Sequence, residues 1–350
     1  MEKFCIIRYY QFPIIFQKLI QFLSLELQTK QMERYSKQQI SDIYHKPLLQ
    51  LMYEANEVYK ENFEVGEIVV NTLLSVKTGG CPEDCSYCSQ SSKYVTDVKA
   101  SKMMEVDAVR EKAKEAKANG TTRFCISSMG TKVRDNKDFD TVLEMVKAVK
   151  QEGLEVCCTL GMLNPEQATK LKDAGLNAYN HNVDTSDEYY DKVITTRTYQ
   201  DRLDTLSHVA GSGLKICSGG IIGLGETDED RIGMLHTLCN LPTQPESVPV
   251  NCLVPIKGTP LENNKLVSFW EMLRMVATAR IIMPKSVVRI SAGREKMTTE
   301  QQALCFMAGA NSIFAGNKLL TTPNPEIGTD NYMFNLLGLK PRPAMKEVEA

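Results

Sequence analysis

Eight short apolar runs rich in β-branched residues recur along the chain, separated by longer stretches of helical period. The runs are Ile68–Val76, Thr122–Ser128, Leu154–Leu160, Asn177–Val183, Leu214–Ile222, Val248–Val254, Ser286–Ala292 and Asn311–Phe314. Helical patterns between them cover Val106–Asn119, Phe139–Gln151, Pro165–Ala174, Tyr199–Ala210, Asp228–Leu241 and Phe269–Met283. Gly120, Gly153, Gly175 and Gly213 follow such patterns and read as helix C-caps. Eight strand–helix units predict an α/β fold, a (β/α)8 TIM-type barrel, with N-terminal helices over residues 37–63 capping its base. A doubly wound open sheet is the alternative.

The strands also carry a period of two, which separates their faces. Arg123, Cys125 and Ser127 oppose Phe124 and Ile126; Glu155, Cys157 and Thr159 oppose Val156 and Cys158. Cys217, the Asn180–Asn182–Asp184 alternation and the Arg289–Ser291 pair repeat the pattern. Outer barrel faces pack on helices, so the polar face is predicted to be the lumen. Barrel lumens are ordinarily filled by branched apolar side chains. A lumen of Cys, Arg, Asn and Asp is costly unless those groups are paired or liganded. For any single cysteine a core thiol is the ordinary reading; Cys125, Cys157 and Cys217 all fall on the polar face. Cys158, on the opposite face, reads as a core thiol, as do Cys5, Cys239, Cys252 and Cys305.

Three further cysteines, Cys81, Cys85 and Cys88, stand within eight residues. A C-x3-C-x2-C loop supplies three thiolates, enough for three irons of a 4Fe–4S cubane, which leaves the fourth iron open. A zinc loop with its fourth ligand elsewhere is the alternative. The spacing resembles the signature of the radical S-adenosylmethionine (SAM) superfamily, with Tyr87 at the aromatic position before the third cysteine. That resemblance implies that SAM chelates the open iron and that one electron from the cluster releases a 5′-deoxyadenosyl radical.

The chain has 350 residues, a net charge of −2 and 24% charged residues, an ordinary globular composition. Near-neutral charge gives no support for nucleic-acid binding. The 11 cysteines read as metal ligands and core thiols of a reducing cytoplasm, without a disulfide framework. Residues 1–31 hold only short apolar runs, well under the roughly 20 residues a membrane span needs, and no signal-peptide cleavage site. Ordinary helical sequence begins after Met32, so the extension reads as non-native or loosely attached. The expected organisation is an extension at 1–34, a helical cap at 35–66, the barrel at 67–342 and a tail at 343–350.

Longer stretches make the resemblance specific. They are Lys77–Cys85, Thr122–Cys125, Tyr179–Ser186, Cys217–Thr227, Arg289–Glu295 and Phe306–Ser312. From about Tyr35 to Lys340 the chain is similar to the biotin synthase family. Membership would imply sulfur insertion into dethiobiotin, with Cys81, Cys85 and Cys88 on a SAM-cleaving 4Fe–4S cluster. It would imply a 2Fe–2S cluster, the sulfur donor, on Cys125, Cys157, Cys217 and Arg289. Arginine is a rare metal ligand because it stays protonated; from the residues alone Arg289 reads as a cation balancing a cluster or a SAM carboxylate. The resemblance carries Asn182, Asn251 and, weakly, Asn180 to the substrate, Asp184 to the SAM ribose, and Tyr87 and Glu226 to the cofactor. Gly219–Glu226 matches the superfamily's G-x-I-x-G-x-x-E pattern near the adenine; no G-K-[ST] follows, so it is not a Walker A loop. A flavodoxin or ferredoxin electron donor, a homodimer and the absence of a membrane partner are also implied. One departure is visible. The family's Met-Gly-Ala-Ala-Trp after the first lumenal cysteine is here Ile126-Ser127-Ser128-Met129-Gly130, which is expected to alter loop packing near the second cluster. Rival readings are another radical SAM enzyme with an auxiliary cluster, such as lipoyl synthase or a methylthiotransferase, and a non-catalytic iron–sulfur or zinc scaffold.

Overall fold

The computed structural model describes residues 34–344; the extension before them, with Cys5, and the last six residues lie outside the described part. In chain order the elements begin with α1 (Lys37–Tyr44), α2 (Leu48–Asn62), β1 (Glu67–Lys77), α3 (Val106–Ala118), β2 (Arg123–Ser128), α4 (Lys137–Gln151) and β3 (Glu155–Thr159). There follow α5 (Pro165–Asp173), β4 (Ala178–Asn180), α6 (Asp187–Tyr190), α7 (Tyr199–Gly211), β5 (Lys215–Cys217), β6 (Gly220–Ile222) and α8 (Asp228–Asn240). The chain continues through β7 (Ser247–Cys252), α9 (Phe269–Ile282), β8 (Val287–Ile290), α10 (Thr299–Met307), β9 (Ser312–Ala315), α11 (Ile327–Leu337) and β10 (Lys340–Pro341).

Strands β1, β2, β3, β4, β5, β7, β8 and β9 pair in that order, and β9 pairs back onto β1. Every pairing is parallel. The sheet is therefore a closed eight-stranded barrel, and closure removes the open-sheet alternative. The seventh strand's neighbour β6 pairs only β7, and β10 extends the edge of β1 near the base. The expected single run Leu214–Ile222 is thus two strands. Ser218 and Gly219 interrupt it, and Gly219 runs so close to β7 that a Cβ there would stand 2.0 Å from the Pro249 carbonyl oxygen. All four C-cap glycines predicted from the helical patterns adopt left-handed φ between 75° and 96°. Helices α10 and α11 were not foreseen, nor was the short α6.

The outer layer is apolar as the alternation required. Phe124, Ile126, Val156 and Cys158 belong to the shell between strands and helices, whereas Cys125, Cys157, Ala178 and Cys217 form a separate lumenal group with Leu73 and Phe314. Cys158, Cys239 and Cys305 are core thiols; Cys252 instead is half-buried and reaches the central cavity. The N-terminal helices lie along the outer layer, α1 on α8 and α2 on α9. The end of α2 reaches the base, where Phe63 and Tyr59 face the Arg280 guanidinium at 4.6 and 5.9 Å. The base itself is closed by ions: Arg123 donates to Glu155 (2.6 and 2.8 Å) and to Glu246 (2.8 and 2.9 Å). Arg123 and Glu155 are almost fully buried, so each satisfies the other's charge.

Candidate active site

A cavity of about 330 Å³ occupies the upper lumen, at the C-terminal ends of the strands. TIM barrels place their chemistry at this end. Both predicted cysteine groups face it. Cys81, Cys85 and Cys88 come from the loop after β1; Cys125, Cys157 and Cys217 come from β2, β3 and β5.

The first loop is held by its own backbone and by a distant segment. The Cys81 N–H donates to Gln90 O (2.9 Å), and Ser92 N–H donates to Cys81 O (2.7 Å). Across from them, residues 193–197 grip the loop. Ser86 N–H donates to Val193 O at 3.0 Å. The Asp84 carboxylate accepts from the backbone N–H groups of Thr195 (2.9 Å) and Thr196 (3.2 Å) and from both threonine hydroxyls. Burial opposes the charge on Asp84, but those hydrogen bonds outweigh it and hold its carboxyl below the usual range. Burial pushes the Cys85 thiol up to about 12 and the Cys88 thiol up to about 11. These thiols ionise only when a bound cation supplies the missing stabilisation, which is what a metal ligand requires.

The second group is deeper. Cys125 and Cys157 are register partners on β2 and β3, and Cys217 is level with Asn180. Hydrogen bonding to Cys125 and burial raise the Cys157 thiol; hydrogen bonding to Cys157 and burial raise Cys217. Arg289 Nη2 donates to Cys217 Sγ at 3.0 Å, and its Cζ lies 4.4 Å from the Phe314 ring centroid. Arg289 Nε is buried without a hydrogen-bond partner. Such an orphan donor beside three thiols fits a site built around an anionic group. Among the described residues no three His, Cys, Asp or Glu side chains are arranged to hold one metal ion. Iron–sulfur clusters ask for something else: their ligands are spread over several irons, one on each ligated iron of a cubane and two on each iron of a 2Fe–2S cluster, so they border a common space instead of converging on one ion. Both groups do.

The predicted cofactor and substrate residues divide. Tyr87, Asn180, Asn182, Asp184 and Asn251 all line the cavity. Asn180 is tied to the second thiol group, its Nδ2 lying 3.2 Å from Cys217 Sγ. Asn182 Oδ1 accepts from Gly219 N–H at 3.2 Å. Asn251 bridges neighbouring strands, donating to Gly220 O (2.9 Å) and accepting from Ala292 N–H (3.2 Å). Asp184 has a left-handed φ of 68°, rare for a non-glycine, and its carboxylate pairs with Arg202. Glu226 does not reach the cavity. Its carboxylate turns back to accept from Gly223 N–H (2.8 and 3.0 Å) and from Arg231 Nε (2.8 Å). It braces the turn whose Ile221 faces the cavity. The Ser127–Gly130 departure falls on the cavity wall.

Arg197 and Arg202 also line the cavity, and no motif singled them out. Arg202 Nε donates to Tyr190 OH at 2.8 Å while its Nη2 holds Asp184. Their signal in the sequence was weak: two arginines beside a helix start, far from the residues they serve.

Comparison with known proteins closes the question of family. Residues 75–238 match the model of the Radical SAM superfamily, and residues 249–340 match the Biotin and Thiamin Synthesis associated domain. A biotin synthase of Cytophaga hutchinsonii is 63% identical over 316 residues, covering 90% of this chain and 94% of that protein. The mitochondrial biotin synthase of Arabidopsis thaliana is 56% identical, covering 88% of this chain and 82% of that protein. Among solved structures, methylornithine synthase superposes with a TM-score of 0.75 at 20% identity, covering 88% of this chain and 94% of that one. The FeFe-hydrogenase maturase HydG of Carboxydothermus hydrogenoformans gives 0.76 at 18% identity, covering 93% and 79%. At such identities these two establish the barrel only. No helix among the described residues is long and apolar enough to cross a membrane. With most of its length matched at more than half identity, the chain belongs to the biotin synthase family of radical SAM enzymes.

Proposed function

We propose that the two thiol groups divide the family's reaction, the radical SAM-dependent insertion of sulfur into dethiobiotin, between them. Cys81, Cys85 and Cys88 hold the 4Fe–4S cluster that cleaves SAM. Cys125, Cys157, Cys217 and Arg289 hold a 2Fe–2S cluster that donates the sulfur. When bound, the first cluster and SAM supply a 5′-deoxyadenosyl radical able to remove hydrogen from unactivated carbon, and the second supplies a sulfide.

The observation that carries this reading is the shared cavity: thiols from the β1 loop and from three separate strands face one space. The rival enzymes carry their auxiliary cysteines in terminal segments or added domains, and a scaffold protein has no reason for a polar lumen.

The chain's own residues bind, orient and exclude. Asn182 and Asn251 present amide groups that both donate and accept, which suits a cyclic urea. Asp184, fixed by Arg202, places a carboxylate for the hydroxyls of a ribose. Ile221 supplies backbone beside an adenine, with Glu226 and Arg231 bracing its turn. Tyr87 covers the first loop from within, its phenol raised well above its usual value by burial. Leu73, Phe314, Leu319 and Leu320 give the cavity apolar walls, which would limit the access of water to a reactive carbon held there. A low-potential flavodoxin or ferredoxin donates the electrons, and the enzyme works as a homodimer.

The test is anaerobic incubation of the reconstituted protein with SAM, reductant and dethiobiotin, with products read by mass. Biotin together with 5′-deoxyadenosine is the expected result. Deoxyadenosine without biotin would reduce the reading to SAM cleavage alone.

A further inference from the structure

Arg197 stands beside the cysteine loop with its charge only loosely engaged. Its Nη2 donates toward Cys85 Sγ at 3.6 Å. Its Nε lies 3.6 Å from Glu83 Oε2, and no hydrogen bond satisfies that buried nitrogen. The two side chains are 8% and 5% exposed. Arg202 offers a contrast, because its guanidinium is committed to Asp184 and Tyr190. Glu83 sits between Cys81 and Cys85, and its carboxylate also accepts from Thr196 Oγ1 at 2.5 Å. A cation and an anion, fixed from opposite sides, thus share one dry position beside a cysteine ligand.

We infer that Arg197 and Glu83 are an opposed pair of positioning charges that sets the reduction potential of the cluster on Cys81, Cys85 and Cys88. The inference rests on the assignment of those cysteines made above. Reduction takes one electron from a low-potential one-electron carrier, which is oxidised by one, and adds one negative charge next to Arg197. A nearby cation and an N–H···S contact stabilise the reduced form more than the oxidised form, so Arg197 raises the potential. Glu83 withdraws part of that charge and opposes it. Burial sharpens both effects, since solvent screens little at such exposure.

The pair predicts shifts of opposite sign. The full chain, reconstituted and without SAM, is titrated anaerobically while the electron paramagnetic resonance signal of the reduced cluster is followed. Arg197→Gln lowers the reduced-to-oxidised ratio about tenfold at the wild-type midpoint, a fall of ~59 mV for one electron. Arg197→Lys falls less, because a cation remains. Glu83→Gln, which keeps an acceptor for Thr196, raises the midpoint. A role in packing alone would loosen the same loop in both variants and move both midpoints the same way or not at all; either result overturns the inference. A poorly loaded variant still reports, because the midpoint belongs to the loaded fraction. If the wild-type protein yields no reducible cluster signal, the cysteine assignment fails and the inference falls with it.

Discussion

Arg289 reaches across the lumen to Cys217, its Nη2 lying 3.0 Å from the thiol sulfur. Its Nε remains buried and unpartnered, so the guanidinium keeps a donor in reserve beside three thiols. Replacement by lysine preserves a cation and loses the planar fork. Arg289→Lys is expected to retain part of the 2Fe–2S absorption and part of the biotin yield. Arg289→Met removes the charge and is expected to retain less of both. Equal yields from the two variants would show that charge is not what the position contributes.

Alanine at Cys81, Cys85 or Cys88 removes one of three ligands from the first loop. Formation of 5′-deoxyadenosine is expected to fall by at least about a hundredfold in each, a larger loss than removal of a ligand's hydrogen-bond partner gives. Chromatography of the quenched reaction checks this, and a variant cleaving SAM at the wild-type rate refutes that ligand.

Alanine at Cys125, Cys157 or Cys217 separates the two halves of the reaction. SAM cleavage is expected to persist at least in part, while biotin formation vanishes. Labelled sulfide introduced into the second cluster should appear in biotin after a single turnover. Unlabelled product would rule that cluster out as donor.

The ion-paired floor predicts a pH dependence. Burial opposes the charge on Glu246, yet Arg123 holds its carboxyl down at about 2, against 4.5 for the free side chain. A folded-state value below the unfolded one contributes stability that is complete above the unfolded value and is lost as pH falls toward the folded one. The thermal midpoint is therefore expected to drop as pH falls from about 5 to about 2, and more shallowly in Arg123→Met. At neutral pH that variant leaves buried Glu155 with only the Arg342 guanidinium, 3.6 Å away, and is expected to lose up to ~3–5 kcal/mol. A calorimetric series across pH reads both.

Gly219→Ala tests the break between β5 and β6. The added methyl would meet the Pro249 carbonyl at 2.0 Å, and backbone cannot yield as a side-chain end can. Destabilisation of at least about 1–3 kcal/mol is expected from overpacking alone. A denaturant midpoint unchanged from wild type would mean the strands separate without cost.

The barrel and its polar lumen were legible because period-two alternation and β-branched runs are local signals. Cys125, Cys157 and Cys217 could be placed on one face before any contact was known. Helix α10 escaped because it spans nine residues with weak apolar periodicity. Its Thr298–Gln301 capping box was the available sign. The clamp of Asp84 on Thr195 could not be read, since its partners stand 111 positions apart and Thr195 carries no motif. Glu226 is the opposite case: it occupies a motif position, but side-chain direction on a loop follows no period, and here it turns back to its own Gly223.

The Arg123–Glu155–Glu246 ions occupy the base of the barrel, and the cavity lies at the other end, among the C-terminal ends of the strands. On the function proposed above, whatever rebuilt a cluster on Cys125, Cys157 and Cys217 would enter by the way that substrate and cofactor use. Repair and turnover would then compete for one doorway, and saturating substrate should slow the enzyme's recovery.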